Sequence, residues 1–236
     1  MGRIFEKRKH KMFARFDKMA KAFTNYGKEI SMAVKEAGPD PNTNSRLRNI
    51  IQNAKAANMP KDRIDGAIKR ASSKDEKGYE EVIYEGYAPH GIALLVVTAT
   101  DNPTRTVGNV RSTLMHNGGT LGTAGSLSFM FERKGVFKIS AERIKNLEEF
   151  ELEMIDYGAE DISVNEGVLY ISTQFNDFAK MQKALEAKNI SATSAGIEYI
   201  PTTTKELPEA HADAVLELIA KLEEDDDVQA VFHTLE

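Results

Sequence analysis

At 236 residues the chain is too long for one mini-domain and comfortable for two or three small ones. Its 41% hydrophobic content is enough to pack cores, no run approaches the roughly eighteen apolar residues of a membrane span, and cysteine is absent. Disulfides, zinc ribbons and thiol chemistry are thereby excluded, and a reducing cytosol suits the composition.

The opening MGRIFEKRKH is charged and lacks the apolar core of a secretory signal, so a cytoplasmic location is expected, with no membrane partner. The formal charge is −5, but it is unevenly spread. Residues 1–70 carry 17 Lys and Arg against 7 Asp and Glu, a net of +10; residues 71–236 carry 14 against 29, a net of −15. Screening confines attraction for phosphate to roughly 8–10 Å, so an acidic body need not cancel a basic module joined to it.

Residues 1–72 read as helical. Phe5, Met12, Phe16, Met19 and Phe23 fall on one face at 100° per residue, and a row of lysines falls on the other. Gly38-Pro39-Asp40-Pro41 ends the first helix. Asn42 or Asn44 caps a second, whose apolar face is Leu47, Ile50, Ile51 and Ala54. Met59-Pro60 breaks the chain again before a third helix with Ile64, Ala67 and Ile68. The basic side chains expected to meet phosphate are Lys18, Lys21, Lys28, Arg46, Arg48, Lys55, Lys61, Lys69 and Arg70.

A polar linker over Ser72–Gly78 precedes a change of pattern. Val82–Tyr87 and Ile92–Thr100 read as strands about a Pro89-His90-Gly91 turn, and Asn102-Pro103 opens a helix that Gly118-Gly119 closes. Alternation at Leu127, Phe129 and Phe131 predicts a further strand. Strand and helix signals then follow in the order β-α-β-β-α-β over 134–205, the ferredoxin-like plan, with a hairpin about Asn165-Glu166-Gly167. A last helix holds Ala212, Val215, Ile219 and Leu222, and a last strand runs from Val228 to Phe232.

The expected fold class is α+β: an N-terminal helical bundle followed by two α/β domains, one ferredoxin-like and inserted into the other. The expected boundaries are 1–75 for the basic helical domain, 79–133 plus 206–236 for a discontinuous α/β domain, and 134–205 for the insert.

A second polar cluster lies on the helix after Asp101: Asn102, Arg105, Asn109 and Arg111 suit phosphate and base edges. Arg105, Asn109, Ser112 and His116 share one stripe, expected to face solvent. The glycine-rich Gly118–Ser126 could present N–H groups to phosphate, or could simply be a tight connection; it is neither a Walker A loop nor a dinucleotide fingerprint. No histidine pair has metal-ligand spacing and no nucleophile elbow occurs, so neither a metal, a cofactor nor a catalytic residue is expected.

The stretch 101–135, DNPTRTVGNVRSTLMHNGGTLGTAGSLSFMFERKG, resembles the central signature of the YebC family. AKAANMPKDRIDGAIKRA at 54–71, VIYEGYAPHGIALLV and the closing DDDVQAVFHTLE are also similar to that family, so the resemblance covers nearly the whole chain. The start departs from the family's GHSKW-like opening, with Gly2-Arg3-Ile4-Phe5 in its place.

The resemblance implies three domains and a cytoplasmic role with nucleic acid. It spans proteins assigned to transcription control through DNA and a mitochondrial activator of translation, and does not choose between them. From the residues, lysines spread along helices suit phosphate positioning on structured or ribosomal RNA better than base reading in a DNA groove. The alternative from another class is a small-molecule sensor using the ferredoxin-like domain.

Overall fold

The computed structural model describes residues 2–73 and 78–236, with side chains from residue 19 onward in the first of these stretches. The linker expected over Ser72–Gly78 and the apolar positions Phe5, Met12 and Phe16 therefore fall wholly or mostly outside the described residues or side chains. The chain divides into two compact units, one of residues 1–81 with 99–102, the other of 82–98 with 103–236.

The first unit holds three helices: α1 (Gly2–Ala37), α2 (Ser45–Ala56) and α3 (Lys61–Ala71). They close on a core that includes Ile30, Val34, Leu47, Ile50, Ile64 and Ala67, with Phe23 and Tyr26 packed at its margin. Asn44 makes the turn between α1 and α2. Its side-chain oxygen accepts from the Leu47 amide at 2.9 Å and its amide donates to Ala33 O at 2.7 Å and Gly38 O at 2.8 Å. One buried side chain thus caps the start of α2 and satisfies carbonyls at the end of α1. Asn42 instead bonds locally to the Asp40 carboxylate.

The second unit is built on two four-stranded sheets, antiparallel throughout their named pairings. The first contains β1 (Glu80–Ala88), β2 (Ile92–Thr100), β3 (Thr120–Leu121) and β8 (Val228–His233), in the order β3-β1-β2-β8. Helices α4 (Pro103–His116) and α7 (Glu209–Glu223) cover one face, where Val110, Leu114, Val215, Leu218 and Leu222 meet Ile92, Leu94 and Val96.

The second sheet contains β4 (Phe131–Ser140), β5 (Ala159–Asn165), β6 (Val168–Gln174) and β7 (Ser194–Pro201), in the order β5-β6-β4-β7. With α5 (Leu147–Ile155) and α6 (Phe178–Ala187) between strands, this is the ferredoxin-like arrangement. Phe137, Ile139, Leu169 and Ile171 form its core with Phe150, Met154, Met181 and Leu185. The β5–β6 hairpin turns on Glu166 and Gly167, both at positive φ (49° and 78°), as a two-residue turn of the primed type requires.

The two sheets share a small apolar cluster. Ala93 and Leu95, on the reverse side of β2, pack with Leu127, Phe131, Tyr199 and Phe232, and the last two rings lie 5.5 Å apart.

The strand expected from Leu127 to Phe131 is a correction. Ser128–Met130 is a 3-10 turn, Phe129 is 77% exposed, and the strand begins only at Phe131. The cause is the buried Glu85 carboxylate on β1. It accepts from the amides of Gly125 (2.8 Å) and Leu127, which takes that segment's N–H groups away from any ladder. The short β3 was not foreseen. It approaches β1 because both partners can be bare: a Cβ on Gly86 would meet Thr120 O at 2.6 Å, and one on Gly119 would meet Tyr87 O at 2.6 Å.

Leu218 on α7 is fully buried over the first sheet. Leu218→Ala should lower the unfolding free energy by about 2–5 kcal/mol. Urea denaturation followed by far-ultraviolet dichroism would measure it, and a loss under about 0.5 kcal/mol would mean that α7 contributes little to that core.

Candidate nucleic-acid interface

The basic residues of the helical unit divide into two groups. Lys28 is buried; its Nζ donates to Ala99 O at 3.1 Å and stands 5.3 Å from the centre of the Tyr79 ring. The expectation that Lys28 meets phosphate is therefore corrected: its charge serves the interior of the unit. Arg46 lies among carboxylates, 2.7 Å from Glu36 and 3.8 Å from Glu81. Burial pushes the nearby Glu29 carboxyl up to about 7, Arg46 opposes that rise and Glu81 adds to it. Arg48 is half-buried on α2. Lys18 lies outside the described side chains, and Lys21 is partly exposed on α1.

The other group faces solvent. Lys55 ends α2, Lys61 opens α3, and Lys69 and Arg70 lie in its last turn, all exposed. Lys55, Lys69 and Arg70 also complement the partial negative charge at helix C-termini, so part of their purpose is local. The sequence reading missed Arg63. It is exposed on α3 and its guanidinium lies 5.9 Å from the centre of the Phe23 ring. The signal was there: Arg63 and Arg70 are seven residues apart, hence on one edge of the helix, with Gly66 between them leaving that edge low.

The second polar cluster is also divided. Asn102 is exposed and its backbone N–H donates to Thr100 Oγ1 at 2.9 Å, within the first compact unit. On α4 the buried face is Thr106, Val110 and Leu114.

The stripe expected to face solvent, Arg105, Asn109, Ser112 and His116, is exposed and also has internal partners. Arg105 Nη2 lies 2.7 Å from Asp227 Oδ2, the Thr106 hydroxyl donates to the same oxygen at 2.8 Å, and the Asn109 amide donates to Asp225 Oδ2 at 2.9 Å. Asp227 is buried while Arg105 remains about half exposed. Ser112 and His116 bond to each other at the end of the helix. Arg111 is exposed.

The Asp225-Asp226-Asp227 run thus clamps the start of α4 to the loop before β8, a pairing across 122 residues that no local pattern announces. The glycine-rich segment is a tight connection, because Glu85 holds the Gly125 and Leu127 amides and Glu85 O accepts from Gly122 N at 2.7 Å. No group of three or more potential metal ligands occurs among the described residues. No described helix is long and apolar enough to cross a membrane.

Family models described as "TACO1/YebC protein N-terminal domain" and "TACO1/YebC second and third domain" match residues 3–74 and 79–235. A protein of Cytophaga hutchinsonii named "Probable transcriptional regulatory protein" is 56% identical over 235 residues, covering 100% of this chain and 98% of the other. One of Myxococcus xanthus with the same name is 54% identical over 240 residues, covering all of both chains. Among solved structures, the conserved hypothetical protein Aq1575 of Aquifex aeolicus superposes with a TM-score of 0.84 at 39% identity, covering 92% of this chain and 90% of that one.

Two predictions follow from these geometries. The folded chain holds a proton on Glu29 up to about pH 7, whereas the unfolded chain loses it near 4.5. The folded state therefore binds more protons across that window, and stability falls as pH rises through it. Glu29→Gln should flatten that slope and raise stability at about pH 8 by roughly 1–2 kcal/mol, read from denaturation midpoints at a series of pH values. Separately, Asp227→Ala leaves Arg105 and Thr106 without their shared acceptor. It should cost about 1–3 kcal/mol and speed amide exchange at the start of α4; an unchanged exchange pattern there would show that the clamp is idle.

Proposed function

The chain belongs to the TACO1/YebC family, and we propose on that premise that it is a non-enzymatic, cytoplasmic, nucleic-acid-binding regulator of gene expression. The observation that carries this reading is the exposed cationic surface of α2 and α3, formed by Lys55, Lys61, Arg63, Lys69 and Arg70 after Lys28 and Arg46 are engaged inside the unit. Long, solvated cations of this kind neutralise phosphate and position a polyanion without reading its bases.

The division of labour we propose follows 1–75 as the electrostatic module, 79–133 plus 206–236 as the domain carrying α4, and 134–205 as the ferredoxin-like insert. On α4, Arg111 is the residue best placed to add a contact. Arg105, half exposed beside Asp227, is a second candidate on the same helix. Asn109 and Asn102 are the candidates for finer contacts on their own elements.

The name carried by the relatives supports regulation and fits a DNA partner. The chemistry of the cations favours structured RNA, on or near the ribosome, because folded RNA is recognised through shape and backbone. A groove reader would instead bring several base-reading side chains on one helix.

Affinity of the full chain for ribosomal RNA should fall linearly with the logarithm of salt, by about 0.7–0.9 of a power of ten per phosphate contact for each tenfold rise. Reversing Lys55, Lys69 and Arg70 to Glu should cut affinity at least tenfold with the unfolding midpoint unchanged, and Arg111→Glu should cut it less. Sedimentation through a sucrose gradient decides the target. A protein that stays at the top at low salt, yet shifts a promoter duplex against excess competitor DNA, would overturn the ribosomal preference. Affinity untouched by the triple reversal would overturn the interface.

A further inference from the structure

The outer edge of the ferredoxin-like sheet combines exposed apolar side chains with an excess of carboxylates. Strand β5 is an edge: β6 pairs with one side, and among the described residues no strand pairs with the other. Beside it runs α5, joined to it by Asp156–Gly158. Phe150 and Met154 turn α5 toward the core, which points Leu152 almost directly away from it at about 100° per residue. Leu152 is 70% exposed and Ile155 59%. On β5, Val164 is 47% exposed and stands opposite Leu169, on the same sheet face that α5 covers, and Ile162 shares that face. Residues 146–166 contain eight carboxylates and no Lys or Arg. Glu153 and Glu160 bond to Lys188 and Lys134, and Lys180 Nζ donates to Asp156 O at 2.7 Å, so three lysines from outside the segment reach this edge. Glu148, Asp156, Asp161 and Glu166 are exposed, and the carboxylates outnumber the cations.

Charge on an edge strand ordinarily prevents pairing with another chain. An excess of negative charge around exposed aliphatic groups does something narrower, since it repels some partners and attracts others. A polyphosphate is repelled. A second copy presents the same carboxylates and is repelled as well. A polypeptide that carries cations and aliphatic groups is attracted, and the alternation on β5 says how it would lie. Ile162 and Val164 face the α5 side and Asp161 faces the opposite side.

We propose that the α5–β5 edge docks an extended segment of a basic protein, in which Lys or Arg alternates with aliphatic residues and which adds as a strand beside β5. Its aliphatic side chains lie against Val164 and Ile155, and its cations lie along Asp161 and the neighbouring carboxylates. This surface belongs to a different element from the cationic helices. It would let one chain hold a nucleic acid and a basic protein that accompanies it.

The test uses the full chain and three labelled nonapeptides with blocked ends: alternating Lys-Val, alternating Lys-Ser and alternating Glu-Val. Fluorescence anisotropy at ~150 mM salt should show the Lys-Val peptide binding at least tenfold more tightly than either of the others. Val164→Lys and Asp161→Lys replace exposed residues, so the unfolding midpoint should hold while Lys-Val binding falls at least tenfold. Hydrogen exchange should show new protection of β5 amides in the complex. Equal binding of Lys-Ser and Lys-Val would reduce the effect to diffuse charge and overturn the proposal. Binding that survives both substitutions, or protection that appears elsewhere, would also overturn it. So would concentration-dependent dimerisation abolished by Val164→Lys, which would assign the edge to a second copy. Protection of the same β5 amides by RNA would assign the edge to nucleic acid instead, whereas failure of the RNA reading itself would leave peptide binding unaltered.

Discussion

The larger unit depends on burying β2 on both faces. Ile92, Leu94 and Val96 lie under α4 and α7, while Ala93 and Leu95 lie against Leu127, Phe131 and the second sheet. A strand covered on only one side alternates apolar with polar; one covered on both reads as a continuous apolar run, as IALLVV does. Each of the larger side chains is worth about 1.5–3 kcal/mol when removed from water, so this one strand anchors helices from distant parts of the chain and the neighbouring domain together. The middle of β2 has no exposed position at which a substitution would be tolerated as a surface change.

Two buried carboxylates then decide what the polar motifs are free to do. Glu85 takes amides of the glycine-rich segment, and Asp227 takes Arg105 and Thr106. A buried carboxylate that accepts several hydrogen bonds is stable only while its donors remain, so each acid fixes a loop and each loop in turn protects an acid. Glycines and an arginine that look like phosphate chemistry in isolation are, to that extent, the donors that make buried acids tolerable. Lys28 follows the same logic with the opposite sign, a cation satisfied by a carbonyl and an aromatic face.

What was legible in the sequence is what depends on local pattern. The α+β class, the three helical segments with their proline breaks, the β-α-β-β-α-β order and the hairpin at Asn165–Gly167 all rest on periodicity and turn chemistry within a few residues. Of the two caps weighed for α2, Asn44 serves because it also reaches carbonyls of α1, which spacing alone does not reveal. The Leu127–Phe131 strand misread an alternation that a carboxylate 40 residues away interrupts. The exposed fate of Lys28 was misread for a related reason: a lysine on a charged helix looks solvated until the carbonyl that accepts its hydrogen bond is placed in space. Long-range pairs involving a single acid leave no periodic trace.

The separation of charge is the feature that local pattern and tertiary structure share. Among the described side chains of the first unit, part of the positive charge is paired internally, and exposed cations stand near the ends of α2 and α3. Within the second, negative charge gathers at the outer edge of the ferredoxin-like sheet, where it surrounds aliphatic side chains. The net charge of −5 describes neither surface. On the readings proposed above, a polyanion and a polycation would be drawn to different residues of one chain. Fields of opposite sign also reject the wrong ligand at each place, so that specificity comes as much from repulsion as from contact.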